Sequence, residues 1–155
     1  MLPLDAAHPN TAPAPTSLGT VSSTVSTVFR FNIPSADAAQ SCSLVLLLPS
    51  RLHDSAPALN MTGTGDLAIA RLGGRVDEKT TPETLAAGVW SYRELTVQPD
   101  GAYTVDTFAC SGGDAVAVEL AGVVGGDTQI SFVQDSTEGE CPIGLYLLTF
   151  DGADF

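Results

Sequence analysis

The residues able to do chemistry are few and far apart. Cys42, Cys110 and Cys141 are the three cysteines, and His8 and His53 are the two histidines. No two cysteines stand in C-x-x-C spacing, so the set does not read as a zinc site. A cysteine nucleophile needs a base beside it. His8 falls in a proline-rich stretch and His53 in the loop after an apolar run, so neither nominates a Cys–His pair. There is no G-x-S-x-G, and the strands described below offer no strand-to-helix elbow for a nucleophilic serine. The stretch DSTEGE gathers Asp135, Glu138 and Glu140 beside Cys141. Hard oxygen ligands of that kind suit Ca²⁺, but the spacing matches no calcium loop. The bland reading, a solvated acidic loop, is preferred, with the three acids kept as a lesser metal candidate. A carboxylate pair for glycoside hydrolysis is set by spacing in three dimensions, and nothing in the chain nominates one. The expectation is a protein without catalytic residues, metal or cofactor.

Recognition is better served. In VWSYRELTV (89–97), Val89, Arg93, Leu95 and Val97 share one phase, while Trp90, Tyr92, Glu94 and Thr96 share the other. If Trp90 and Tyr92 face outward they make an aromatic platform for a sugar or a protein. In the competing reading Trp90 is core and Arg93 is the outward residue. Trp90, Tyr92 and Arg93 are therefore the binding or interface candidates. Asn60-Met61-Thr62 is a glycosylation sequon, with Asn60 as acceptor.

The elements that would hold these residues are short strands. TVSTVFRFNIP alternates and stops at Pro34, which lacks a ladder donor. CSLVLLLP (42–49) is a short, continuous apolar run closed by Pro49, the pattern of a strand buried on both faces. Further strands are read at 66–72, 89–97, 102–110, 115–120, 128–133 and 143–150. Pro99-Asp100-Gly101 is a tight-turn signal, and GGD occurs at 112–114 and 125–127, each time before a strand. PETLAA (82–87) is at most one helical turn, with Thr81 as N-cap. Residues 1–19, with four prolines and no periodicity, read as a disordered tail. About eight strands predict an all-β, two-sheet antiparallel β-sandwich, jelly-roll-like or immunoglobulin-like, over residues 20–155.

The 155 residues carry 18 acids against 6 bases, a net charge of −12. A polyanion repels nucleic acid and anionic lipid, and no apolar run approaches a membrane span. The start has no basic and apolar leader pattern. With the sequon and the near absence of Lys, this fits a mature secreted chain.

Read in order, STVFRFNIPSADAAQSCSLVLLLP (23–49), LTVQPDGAYTVDTFAC (95–110), FVQD (132–135) and CPIGLYLLTF (141–150) resemble the But-two C-terminal domain family of ascomycete fungi, over roughly residues 22–150. The resemblance implies a small secreted or surface protein with a protein partner and no agreed catalytic residues. Small secreted fungal proteins that trigger plant defence look similar. The expected role is that of a non-enzymatic elicitor or effector recognising a host protein; the alternative is a carbohydrate-binding or cell-wall structural module. Segment 50–88 is more charged than the family leads one to expect. In a secreted sandwich one bridge and one buried thiol are expected. Cys42 and Cys141 each share phase with core leucines, whereas Cys110 lies on a mixed face. The expected disulfide is therefore Cys42–Cys141, with Cys110–Cys141 as runner-up. Open sheet edges with a single Lys, Lys79, and a low charged fraction predict a homodimer through the 89–97 strand.

Overall fold

The computed structural model describes residues 1–12, 14–48, 59–73, 76–77, 79–82, 89–134 and 142–151; the side chains of 89–91 lie outside that description. Eleven strands are present among these residues. They are β1 (Leu2–Asp5), β2 (Leu18–Val21), β3 (Val25–Asn32), β4 (Ser41–Leu48), β5 (Leu59–Thr62), β6 (Asp66–Leu72), β7 (Val89–Thr96), β8 (Gly101–Ala109), β9 (Ala115–Gly122), β10 (Gln129–Val133) and β11 (Gly144–Phe150). All ladders are antiparallel, and the architecture is an all-β sandwich.

The eight expected strands are all there, but the two-sheet arrangement needs correcting. The strands form three hydrogen-bonded sheets: a five-stranded one ordered β1-β3-β9-β6-β7, a three-stranded one ordered β2-β10-β5, and another ordered β11-β4-β8. The three extra strands, β1, β2 and β5, have four residues each. Runs that short are below what periodicity can distinguish from loop.

One core joins the sheets. Phe29, Leu67, Ile69, Val118 and Leu120 from the large sheet meet Leu44, Leu46 and Leu48 of β4, Ile130 and Phe132 of β10, and Leu145 of β11. Strand β4 lies between β11 and β8 with Cys42, Leu44, Leu46 and Leu48 almost wholly buried, while Val45 and Leu47 on its other face are half-buried, so the run expected to be buried on both faces is fully buried on one. The two small sheets are stitched by a side chain. Gln134, just past β10, accepts from Leu145 N at 3.0 Å through Oε1 and donates to Leu145 O at 2.9 Å through Nε2. Its amide thus stands in for one residue of a neighbouring strand. Gly144 makes the approach possible: its φ is +117°, and a Cβ there would overlap Gln134 Oε1. Thr27 does the same between β2 and β3. Its fully buried hydroxyl donates to Thr20 O at 2.7 Å and accepts from Thr20 N at 2.9 Å.

The N-terminal residues do not form a disordered tail. Leu2–Asp5 pair with Val25–Val28 of β3, and Leu2 and Leu4 are buried with Val28, Ala70, Leu72, Val76 and Ala117 in a second cluster on the outer face of the large sheet. Pro3 is tolerated because β1 is an edge strand, where a ladder donor on one side is dispensable. Val76 comes from the charged segment after β6, so part of that segment lies across this outer face. The PETLAA turn falls almost entirely outside the described residues.

Candidate functional site

The expected bridge is corrected as well. The disulfide is Cys42–Cys110, with Cα atoms 5.1 Å apart, so Cys42 bonds neither Cys141 nor a partner across the layers. Cys42 lies on β4, and Cys110 directly follows β8, its neighbour in the same sheet. The reason is a bulge. Leu44 faces Asp106 but Val45 faces Thr104, so Val105 is an extra residue in β8. Extra residues invert the alternation beyond them. Tyr103 faces the buried Leu46, yet past the bulge it is Asp106 and Phe108 that face the buried Leu44 and Cys42. Cys110 therefore turns inward, against Ile33 and Cys42, with Phe108, Val116 and Leu147 around them. Cys141 lies outside the described residues, so the runner-up Cys110–Cys141 is excluded only through Cys110 being already bonded.

The same inversion aims Asp106 at the opposite layer. Arg71, last of the inward phase Leu67, Ile69, Arg71 on β6, brings Nε to 3.2 Å from Asp106 Oδ2. The approach is that of an ion pair rather than an aligned hydrogen bond, and both side chains are largely buried, 19% and 25% exposed. The Arg71 guanidinium also lies 4.0 Å over the centre of the Phe108 ring. A charge at the end of an apolar stripe thus closes the gap between layers through one acid and one ring.

Beside this clasp opens a cavity of about 500 Å³, lined by Arg30, Asn32, Arg71, Phe108, Ser111 and Asp114 with neighbouring small residues. Each element delivers its residues for a local reason. Arg30 and Asn32 end the outer phase of β3, after Ser26 and the buried Val28. Gly113, with φ +86°, turns the chain between β8 and β9, and its N–H bonds Ile33 O at 2.9 Å, which fixes Ser111 and Asp114 at the rim. Among the described residues Arg30 has no ion-pair or hydrogen-bond partner for its side chain and is exposed. Two of the chain's six cationic residues thus border one cavity of a protein with net charge −12, Arg30 from the outer face of the large sheet and Arg71 from its inner face.

A second polar constellation sits near the opposite end of β6. Thr64 donates through Oγ1 to Asp66 Oδ2 at 2.8 Å and to Asp127 Oδ1 at 3.1 Å, its N–H bonds Asp127 Oδ1 at 3.0 Å, and Thr96 donates to Asp66 Oδ1 at 2.5 Å. The Thr96 hydroxyl, then Thr64, hold the Asp66 carboxyl below its ordinary range; the Thr64 backbone and hydroxyl do so for Asp127. Both are carboxylates at neutral pH, so neither is the raised-pKa proton donor that glycoside hydrolysis needs. Among the described residues no group of three His, Cys, Asp or Glu side chains is placed to hold a metal ion. The lesser candidate Asp135, Glu138 and Glu140 lies outside them.

Of the aromatic candidates, Tyr92 is 59% exposed on β7, an edge strand, and donates to Glu94 Oε1 at 2.6 Å. Arg93 is on the other phase and reaches across to Val105 O at 3.2 Å. The phase of Tyr92 is thus the outward one, and Arg93, Leu95 and Val97 point toward the core side. The Trp90 side chain is outside the described set, and residue 90 falls at a register shift between Ser91↔Arg71 and Val89↔Leu72. Asn60 is exposed on β5. His8 bonds Asp5 at 2.8 Å, lowering the Asp5 pKa, and lies in the turn after β1; His53 is outside the described residues.

The family comparison matches residues 1–138 to the domain described as Ubiquitin 3 binding protein But2 C-terminal domain. The chain belongs to the But2 C-terminal domain family. The match begins at residue 1, so strand β1 lies inside the But2 domain; CPIGLYLLTF, on which the resemblance leaned, lies beyond its end. No match was found among curated proteins or among solved structures. The cavity residues Arg30, Asn32, Arg71, Ser111 and Asp114 all fall within the But2 match. Sequence reading missed them, although one signal was present: Arg71 interrupts an inward apolar phase of β6, whereas Arg30 sits on the polar phase of β3 and stands out from nothing.

Proposed function

We propose that this But2-family chain is a non-enzymatic recognition protein that binds a protein partner at the Arg30–Arg71 cavity. The observation that carries the reading is that two of the six cationic residues of a strongly acidic chain, Arg30 and Arg71, border one cavity of about 500 Å³. Arginine is enriched in interface hot spots because its planar fork offers several donors at little ordering cost. The description of the family as that of a ubiquitin 3 binding protein supports a protein as the partner class. The Cys42–Cys110 bond supports an extracellular setting, since cytosolic thiols are kept reduced. The test is affinity capture from a secreted-protein fraction with wild-type and Arg30→Gln baits. A protein retained by the first and lost by the second is expected. Equal retention by both would refute the site.

Action as an elicitor or effector of plant defence is the finer form of this reading and rests on the resemblance. Pure protein applied to plant tissue should induce defence genes above a heat-denatured control; equal responses would remove the role. A carbohydrate-binding or cell-wall module is favoured by one observation, the exposure of Tyr92 on an edge strand. It predicts retention on insoluble chitin, β-glucan or cellulose that Tyr92→Ala weakens. The same open edge supports a homodimer through β7. Light scattering during size exclusion should then give twice the 15.9 kDa chain mass at micromolar concentration, against a constant single-chain mass if the edge stays unpaired.

A further inference from the structure

We propose that the outer face of the large sheet carries a second site, a cavity built around Glu119 that takes an alkylammonium group, as on a lysine side chain or a small free amine. The site is independent of the Arg30–Arg71 cavity. Strand order and register build it. On β9 the outer phase runs Ala115, Ala117, Glu119, Ala121, so one acid stands among alanines. Glu119 pairs with the buried Val28 of β3 on one side and the buried Ala70 of β6 on the other. The small neighbours leave space beside the carboxylate. A cavity of about 380 Å³ opens there, lined by Leu4, Ser26, Leu72, Glu119 and Ala121, all on this face by register. The turn at residues 22–24 and Pro82 add to the lining. Glu119 is the one ionisable side chain among the described residues that line it. Its carboxylate is half-buried and has bonding capacity to spare. Ser26 Oγ donates to Oε1 at 2.7 Å, and Oε2 has no partner among the described residues. Arg30, on the same face, opposes Ala117 and makes no ion pair with Glu119. A carboxylate flanked by apolar side chains calls for a cation, and a net charge of −12 draws one.

The acceptors decide which cation. A guanidinium binds a carboxylate through both oxygens, and Ser26 already engages one of them. Ca²⁺ collects ~6–8 oxygens, several of them from carboxylates, and this lining offers one acid among its described residues. An ammonium asks for less, since its donors rotate and each takes a single acceptor. Oε2 accepts from one donor. The hydroxyls of Ser23 and Thr24, on the same lining and without partners among the described residues, serve the others. Leu4, Val25, Leu72 and Pro82 supply apolar surface for the methylene stem.

The test is ¹⁵N-resolved NMR titration of the whole, disulfide-bonded chain at about 0.15 M salt, where long-range attraction is screened. The probes are Nα-acetyl-lysine methylamide, its norleucine and arginine counterparts, n-pentylamine and Ca²⁺. Expected are saturable shifts from the lysine probe and from pentylamine at the amides of residues 22–26 and 119–122, with none from the norleucine probe. Whichever of the two amines binds more tightly names the source, and either result sustains the ammonium assignment. Glu119→Gln keeps the size and the Ser26 contact and should weaken binding on the order of tenfold, as loss of a charge-assisted hydrogen bond implies. Ala121→Leu fills the cavity, keeps the charge and should abolish the shifts. Unchanged spectra elsewhere verify that each variant folds, and either variant decides if the other does not. Tighter binding of the arginine probe or of Ca²⁺ would overturn the ammonium assignment. Equal shifts from the norleucine and lysine probes would overturn the role of Glu119. No shift from either amine, or shifts that a folded variant leaves intact, would overturn the site itself.

Discussion

Gln134 and Gly144 make one interaction between them, and removing either should expose that. In Gln134→Ala, Leu145 loses the partner of its N–H and of its C=O, and the Leu145 side chain is fully buried. An orphaned buried backbone group costs ~1–3 kcal/mol. Gln134 itself is only half-buried, so water can recover part of this, and we expect a loss of about 2–4 kcal/mol. In Gly144→Ala the φ of +117° is strained for a residue with a Cβ, and the new methyl displaces the Gln134 amide. Strain of ~1–2 kcal/mol adds to the broken contact. The double variant loses the amide contact only once. Its deficit should fall short of the sum by the worth of that contact, about 2–4 kcal/mol, the signature of a shared interaction. Gln134→Glu sharpens the argument: it keeps the acceptor for Leu145 N and sets a carboxylate oxygen against Leu145 O. That raises the folded-state pKa of the new acid, so the deficit should be largest at neutral pH and shrink as pH falls through that pKa. Urea unfolding with the disulfide intact, at constant m, measures all four proteins. Additivity within ~0.3–0.5 kcal/mol would refute the stitch.

The disulfide predicts that non-reducing peptide mapping links the Cys42 and Cys110 peptides and leaves one thiol for titration; a Cys42–Cys141 peptide would contradict it. Reduction opens a 68-residue loop and should destabilise by about 4–5 kcal/mol on the loop-entropy model. Thr27→Val keeps the shape but orphans Thr20 N and O, and should cost about 2 kcal/mol by calorimetry, against near zero if the hydroxyl is idle. Asp66 and Asp127 have folded pKa values below their unfolded ones, so as pH falls the unfolded chain takes up protons first. Their contribution is complete above pH ~4 and lost as pH falls through the folded values. Asp127→Asn should flatten the acid limb of stability, and an unchanged limb would show that Thr64 does not select the carboxylate.

Much of the strand layout was legible because burial alternates with the pleat. Val25 to Ile33 and the closing strand carry their phase in plain sequence, whereas the apolar run at Cys42 to Leu48 marks a strand but hides which face is the fully buried one. What escaped did so for identifiable reasons. Strands β1, β2 and β5 are too short to show a period, and Pro3 reads as a breaker unless its strand is known to be at an edge. The single extra residue Val105 inverted the phase of Phe108 and Cys110, which moved the disulfide from one partner to another and placed Asp106 opposite Arg71. The cavity was invisible for the same reason. Its residues come from β3, β6, β8 and β9, strands far apart in the chain, and only the sheet order β3-β9-β6 and the bulge in β8 bring them together. The outward side of β7 was not legible, since Glu94 puts a charge on the phase of Tyr92 and Arg93 puts one on the other.

The most direct test of recognition at the cavity is site-resolved photo-crosslinking. A benzophenone side chain at Asn32, on the cavity lining, is compared with one at Val124, fully exposed in the turn after β9 at the far end of that strand from Ala115. Both proteins are irradiated in the same secreted-protein fraction and the adducts identified by mass spectrometry. The account predicts one protein adduct at position 32 that is missing at position 124. The same adduct at both positions, or at position 124 alone, would contradict it.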